Sequence, residues 1–229
     1  MSSLLSKKTS VCLKGILALM ILIHHVYQNT LLGSEYVIID YVLRSFGLYG
    51  VSAFFLLSGY GLMYSISRGG YFDKLKRKCV NLYILTLCLI LLYFLFNTAL
   101  GISMPQNLIY KSFLFGGTIV GAGWYLQVIL VCYIAVLLIW RHVEKYKVFA
   151  YTIFVLTFIF MMALRLPSHW YISLLSLPVG MGLYKFENSI IQLLSSNKRY
   201  VIVLALSFML FLFSTCWIYF SPTIGYVVN

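Results

Sequence analysis

Apolar positions in this chain come in long runs rather than in the short alternations of a half-buried strand. Seven such runs stand out, at about 11–32, 46–66, 79–100, 120–140, 148–164, 170–185 and 200–220. A run of roughly twenty apolar residues is long enough to cross a bilayer as one helix. The pattern therefore predicts an all-α integral membrane protein, a polytopic bundle of about seven transmembrane helices. The fifth and sixth runs are short, and Pro167 and Pro178 interrupt that region, which predicts re-entrant or kinked segments there. Residues 67–78 read as a glycine-containing turn followed by a basic run, and residues 101–112 as a polar loop. Neither an internal repeat nor a low-complexity linker is visible.

Composition sharpens this picture. The chain has 229 residues, 62% of them hydrophobic and only 10% charged, against about 25% charged in soluble domains. Seventeen Lys and Arg face five acids, for a net charge of +12. No soluble domain is present to carry a basic face, so nucleic acid is not an expected partner. The excess reads as membrane topology and attraction to anionic lipid. With the N-terminus placed in the cytoplasm, only Arg44, Lys111 and Arg165 of the seventeen basic residues fall outside. The positive-inside bias thus predicts a cytoplasmic N-terminus. An odd number of spans puts the C-terminus outside. The chain ends at Asn229 soon after a span, where further helices would be expected to follow. The expectation is one transmembrane domain over 1–229, incomplete at its C-terminal end. The five cysteines, none in a CxxC pair, read as small buried hydrophobes. Lys7, Lys8 and Lys14 precede the first run but no small-x-small cleavage site follows it, so this segment reads as a retained anchor.

Polar residues inside apolar runs are the candidates for chemistry. Lys14 and His25 both lie in the first run. Eleven residues at about 100° each leave roughly 20° beyond three full turns, so the two share a helix face, separated by about 16 Å of rise. A charged or titratable group within a span is costly and marks a functional site by default. Two readings stand side by side. In one, Lys14 snorkels to the headgroups and His25 hydrogen-bonds a neighbouring helix. In the other, His25 accepts a proton in a protected cavity while Lys14 binds an anionic group arriving from the cytoplasm. His24 lies about 100° round the helix from His25 and faces elsewhere.

Three further stretches carry signal. Gly50 to Gly61 (GVSAFFLLSGYG) is rich in small residues, which let helices approach closely; Ser52 and Ser58 can bond across them or line a site. Phe72 to Lys78 (FDKLKRK) is a juxtamembrane basic cluster, a lipid anchor or the place where a cytosolic polyphosphate first meets the protein. Gly121 to Gln127 (GAGWYLQ) sets Trp124 and Tyr125 at a membrane interface or in the wall of a substrate site. His142 and His169 read as loop or interface residues. No HExxH, no Walker loop and no carboxylate pair occurs, and no metal is implied.

Taken together these stretches resemble the acyltransferase-3 family of bacterial integral-membrane acyltransferases. The segment LKGILALMILIHH (Leu13 to His25) is similar to the family's first-helix signature, in which an arginine precedes a histidine by eleven positions. GVSAFFLLSGY (Gly50 to Tyr60) resembles its second-helix signature. The basic run and Trp124-Tyr125-Leu126 also sit where the family has theirs, so order and spacing agree over about residues 11–135. Lys14 stands in place of the family arginine, keeping charge without the bidentate fork. Asn81 and Ile84 stand where a second arginine and a proline are expected. The chain is also about a hundred residues shorter than typical members, so later helices look missing.

The resemblance implies a multi-pass enzyme of the bacterial cytoplasmic (inner) membrane. It would transfer an acyl group, acetyl in the first instance, from acyl-CoA to a hydroxyl of a cell-surface saccharide. His25 falls on the histidine that assists transfer. Lys14, Arg77, Ser52, Ser58 and Trp124 are the expected substrate and acyl-CoA contacts. No cofactor is implied, acyl-CoA being a donor substrate; the partners are the bilayer, acyl-CoA and the saccharide acceptor. Two other readings stay open: a carrier or flippase for a lipid-linked or anionic substrate, and an inactive truncated acyltransferase fragment.

Overall fold

A computed structural model describes residues 4–30, 37–69, 71–115, 123–146, 148–166 and 170–220. Every regular element among them is helical. In chain order these are α1 (Lys7–Thr30), α2 (Val37–Ser67), α3 (Tyr71–Ala99), α4 (Gln106–Phe115), α5 (Trp124–Leu138), α6 (Trp140–Lys145) and α7 (Val148–Ala163). A 3₁₀ turn (Ile172–Leu175) then leads into α8 (Ser176–Lys185), α9 (Glu187–Leu194) and α10 (Asn197–Phe220).

Among the described residues three helices are long and apolar enough to cross a membrane: α1, the Ser45–Ser67 part of α2, and α3. A fourth follows if α9 and α10, bent by 108° at their junction, form one broken span. The runs expected to cross at 120–140 and 148–164 form helices of 15 and 16 residues, shorter than the ~20 that one straight crossing needs. Large apolar side chains face outward, among them Leu92, Leu95 and Phe96 of α3 and Val201, Met209 and Phe213 of α10. Lipid is the solvent that makes such surfaces favourable.

Several boundaries differ from the hydropathy pattern, each for a local reason. The basic run before the third span belongs to α3, which begins at Tyr71 rather than near 79. Lys and Arg are good helix formers, and Asp73 in the first turn suits the positive end of the dipole. The loop expected over 101–112 contains α4, started by Pro105, whose carbonyl accepts from Leu108 N at 3.0 Å. The sixth run is broken as Pro178 predicts. Lacking an N–H, Pro178 cannot continue an α-helix back through Leu174, so the chain is 3₁₀ before Ser176 and α-helical after it. Gly69 (φ 73°) and Gly101 (φ 72°) end α2 and α3 in the left-handed region that favours glycine.

The chain forms two compact units. The first comprises residues 1–63 and 167–229, the second residues 64–166. In the first unit, α2 is the central helix. Gly50 and Gly59 are nine residues apart, about 900° of rotation, and so lie on opposite faces. The Gly50 face meets α1 at Ile21 and the Leu17 carbonyl. The Gly59 face meets α8 at Leu177. Helix α1 runs antiparallel to α2, since Leu17 and Ile21 oppose Gly50 while His24 opposes Gly47 and Leu43. Helix α8 runs parallel to α2, since Ser52 meets Ser173 and Tyr60 meets Tyr184 and Glu187.

In the second unit α5 packs against both α3 and α7. The residues buried in these helices include Val128, Ile129, Cys132 and Val136 on α5, Leu75, Cys79, Thr86 and Ile90 on α3, and Ala150, Phe154 and Met161 on α7. Cys79 and Cys132 are buried free thiols, whereas Cys12 and Cys88 are exposed. Cys216 has no described side chain.

Candidate functional site

The adjacent histidines of α1 do different things. The ring of His24 is 8% exposed, and its Nδ1 lies 3.1 Å from the Leu43 carbonyl oxygen on α2. A Cβ built on Gly47 would come within 2.5 Å of that ring. His24 therefore fills a notch that only glycine leaves open. His25, one step round the helix, is half-buried and meets the His24 ring edge-on, centroids 5.1 Å apart.

The packing stripe on α1 is Leu17, Ile21 and His24, each one turn from the next. Lys14 and His25 sit about 60–80° from the direction of Leu17 on the same side, so they form a second stripe bordering the α1–α2 contact. Lys14 is exposed, and a Cβ on neighbouring Gly15 would meet nothing within 4 Å. The shared face expected from spacing is thus a rim of the helix pair rather than its interior.

The small-residue stretch of α2 divides its labour by face. Ser52 donates a 3.0 Å hydrogen bond to the hydroxyl of Ser173, which is 2% exposed at the start of the 3₁₀ turn. Seven residues further along both segments, Gly59 and Gly180 bring the two backbones together. A Cβ on Gly59 would lie 1.9 Å from the Leu177 oxygen, and one on Gly180 would lie 1.9 Å from the Leu56 oxygen. Ser52 thus faces away from α1. Ser58, half-buried, lies on the side of α2 that carries Gly47 and Gly50.

The second unit carries the other two candidates. Arg77 is exposed in the second turn of α3, beside exposed Lys74, Lys76 and Lys78. Trp124 is half-buried at the first position of α5 and meets Tyr125 edge-on at 6.5 Å. Gln127, one turn on, is 8% exposed, and its Oε1 has no hydrogen-bond partner among the described residues. His142 is exposed and packs edge-on against Phe149 at 5.8 Å; His169 lies outside the described residues.

Sequence reasoning missed three participants. Spacing leaves the part played by His24 open, and it is the histidine that holds α1 to α2; Gly47, one notch below Gly50, is the available signal. Ser173 lies in the broken sixth run, where nothing in spacing pairs it with Ser52. Glu187 follows a span and looks like an ordinary interfacial acid. It instead accepts hydrogen bonds from the Tyr60 hydroxyl at 2.7 Å and from the Leu4 amide.

A family model described as an acyltransferase domain, that of the acyltransferase-3 family, matches residues 12–228. The chain belongs to that family. The match reaches well past the motifs of the first four runs and takes in the 3₁₀ turn, α8, α9 and α10. This acyltransferase-3 protein is a membrane acyltransferase, and α1, with its Lys14–His25 stripe, lies almost wholly within the matched range. No curated protein and no solved structure gives a significant match.

Proposed function

We propose that this chain is an O-acyltransferase of the bacterial cytoplasmic membrane that moves an acyl group, acetyl in the first instance, from acyl-CoA to a hydroxyl of a cell-surface saccharide. The observation that carries the reading is the split between the two histidines. His24 is spent on packing against Gly47, while His25, beside it, borders the helix pair on the same stripe as exposed Lys14. His25, outside that packing contact, is the histidine to which this reading gives proton transfer.

In this reading the N-terminus is cytoplasmic and acyl-CoA arrives from that side. Lys14 is a cation that attracts its phosphates, and so is each member of the cluster around Arg77. Ser52, Ser58 and Trp124 are the further proposed substrate contacts. His25 removes the proton from the acceptor hydroxyl as the oxygen attacks the thioester carbonyl carbon. The new C–O ester bond forms, the C–S bond breaks, and CoA leaves as the thiol with the proton returned by His25. No resident metal or cofactor takes part.

The test is transfer of label from acyl-CoA to saccharide in membranes without background activity. General-base catalysis contributes about 10²–10⁴-fold, so His25→Ala is expected to lose transfer by that order while the protein still inserts. Undiminished transfer by a well-expressed His25→Ala protein would remove His25 from the chemistry. Movement of substrate across the membrane without covalent change would replace the enzyme by a carrier.

A further inference from the structure

The helix that carries Lys14 and His25 packs on α2 through Leu17, Ile21 and His24, and its N-terminal part lies ahead of that contact. Of its residues only His24 and Tyr27 are buried, both near the C-terminal end. Lys14 is exposed and the space beside Gly15 is open. At the other end the chain enters α1 through a capped turn, in which the Ser6 hydroxyl accepts from Thr9 N at 3.1 Å. Just before that cap, the Leu4 amide donates to Oε1 of Glu187. The same oxygen accepts from the hydroxyl of Tyr60 at 2.7 Å. Tyr60 is 5% exposed and meets Tyr184 edge-on at 5.4 Å. One carboxylate oxygen therefore ties the entry to α1, the far end of α2 and the start of α9, all within the first unit.

The geometry points to Glu187 as a positioning residue for the acyl-transfer site: it clamps the N-terminal end of α1 to α2 and so sets where Lys14 stands. This rests on the function proposed above. A single oxygen that accepts from two donors joins three segments at once. Leu4 is three residues ahead of α1, and Lys14 stands about 10 Å along the helix from its start. Lys14 lies between the clamp and the Leu17–His24 contact with α2, so releasing the clamp moves Lys14 before it moves His24.

A merely structural role is available and makes the opposite prediction. Glu187 is the first residue of α9, where any negative side chain favours the helix N-terminus. Glu187→Asp keeps that charge but falls one methylene short of both donors. Glu187→Gln gives up the charge but keeps an acceptor oxygen at the same reach.

The experiment uses the full chain in nanodiscs, with amide hydrogen exchange over residues 4–14 and acyl-transfer kinetics measured side by side. Glu187→Ala and Glu187→Asp are expected to speed exchange of that segment and, by raising KM for acyl-CoA, to lower kcat/KM roughly ten- to hundred-fold, the scale of an ångström of misplacement. Glu187→Gln is expected to stay near wild type in both. Tyr60→Phe removes one arm only and should fall between, which keeps the test alive if Glu187→Ala folds poorly. Wild-type behaviour of Glu187→Asp with failure of Glu187→Gln overturns the clamp, as does unchanged exchange in Glu187→Ala. Faster exchange with unchanged KM for acyl-CoA overturns the positioning role. A wild-type protein without transfer overturns the function proposed above, and exchange alone then decides whether the clamp exists.

Discussion

The imidazole of His24 occupies the space that a side chain on Gly47 would need: a Cβ there would lie 2.5 Å from the ring. This contact, with the 3.1 Å bond to the Leu43 carbonyl, locks α1 against α2. His24→Ala and Gly47→Ala are each expected to destabilise the protein, the first by leaving a void and the second by overpacking, at about 1–3 kcal/mol. Thermal unfolding in detergent checks this. The double variant should cost less than the two singles combined, because the added methyl enters the space the ring leaves.

Gly59 and Gly180 make a reciprocal close approach, each against a carbonyl oxygen three residues before the other. Either substitution to Ala must push α2 and α8 apart, at about 1–3 kcal/mol or more. Gly182, two residues along α8, meets nothing within 4 Å at its Cβ position. Gly182→Ala is expected to be neutral or stabilising, since alanine is about 1 kcal/mol better than glycine within a helix. Unfolding midpoints of the three variants, compared directly, decide it.

Ser52 and Ser173 form a hydroxyl pair in the interior of the first unit. Interhelical hydrogen bonds of this kind in membrane proteins average about 0.6 kcal/mol. Ser52→Ala, Ser173→Ala and the double variant are expected to lose similar small amounts of stability, with the double no worse than additive. A double-mutant cycle on unfolding in detergent measures the coupling.

Lys14 is exposed and takes no part in the α1–α2 packing stripe. Lys14→Ala is therefore expected to leave the unfolding midpoint within about 0.5 kcal/mol of wild type while raising KM for acyl-CoA. Lys14→Arg restores the residue typical of the family and adds a bidentate donor for phosphate. It should hold or lower KM. Kinetics at varied acyl-CoA concentration separate the two.

Arg77 stands exposed among three lysines on α3. A single cation near such a cluster contributes about 1 kcal/mol toward an anionic group, so Arg77→Ala should raise KM for acyl-CoA roughly five-fold with kcat unchanged. The effect should shrink as ionic strength rises, which a salt series reads directly.

Much of this protein follows from its sequence by itself. Long apolar runs require helices, because lipid leaves backbone groups no partner outside the segment. Spacing alone sets Lys14 and His25 on one face of α1, since eleven residues close on three turns. Pro178 alone breaks the sixth run, by the bond it cannot make. The motifs from Leu13 to His25 and from Gly50 to Tyr60 carry the family, whose match extends to residue 228.

Tertiary structure decided the rest. Whether His24 or His25 holds the helices depends on which of them finds a glycine opposite, and Gly47 is 23 residues further along the chain. The partners of Ser52, Gly59 and Tyr60 lie more than a hundred residues downstream, at Ser173, Leu177 and Glu187. Hydropathy records how much a residue prefers lipid, whereas these pairings depend on the direction in which each side chain leaves its helix once the helices have met.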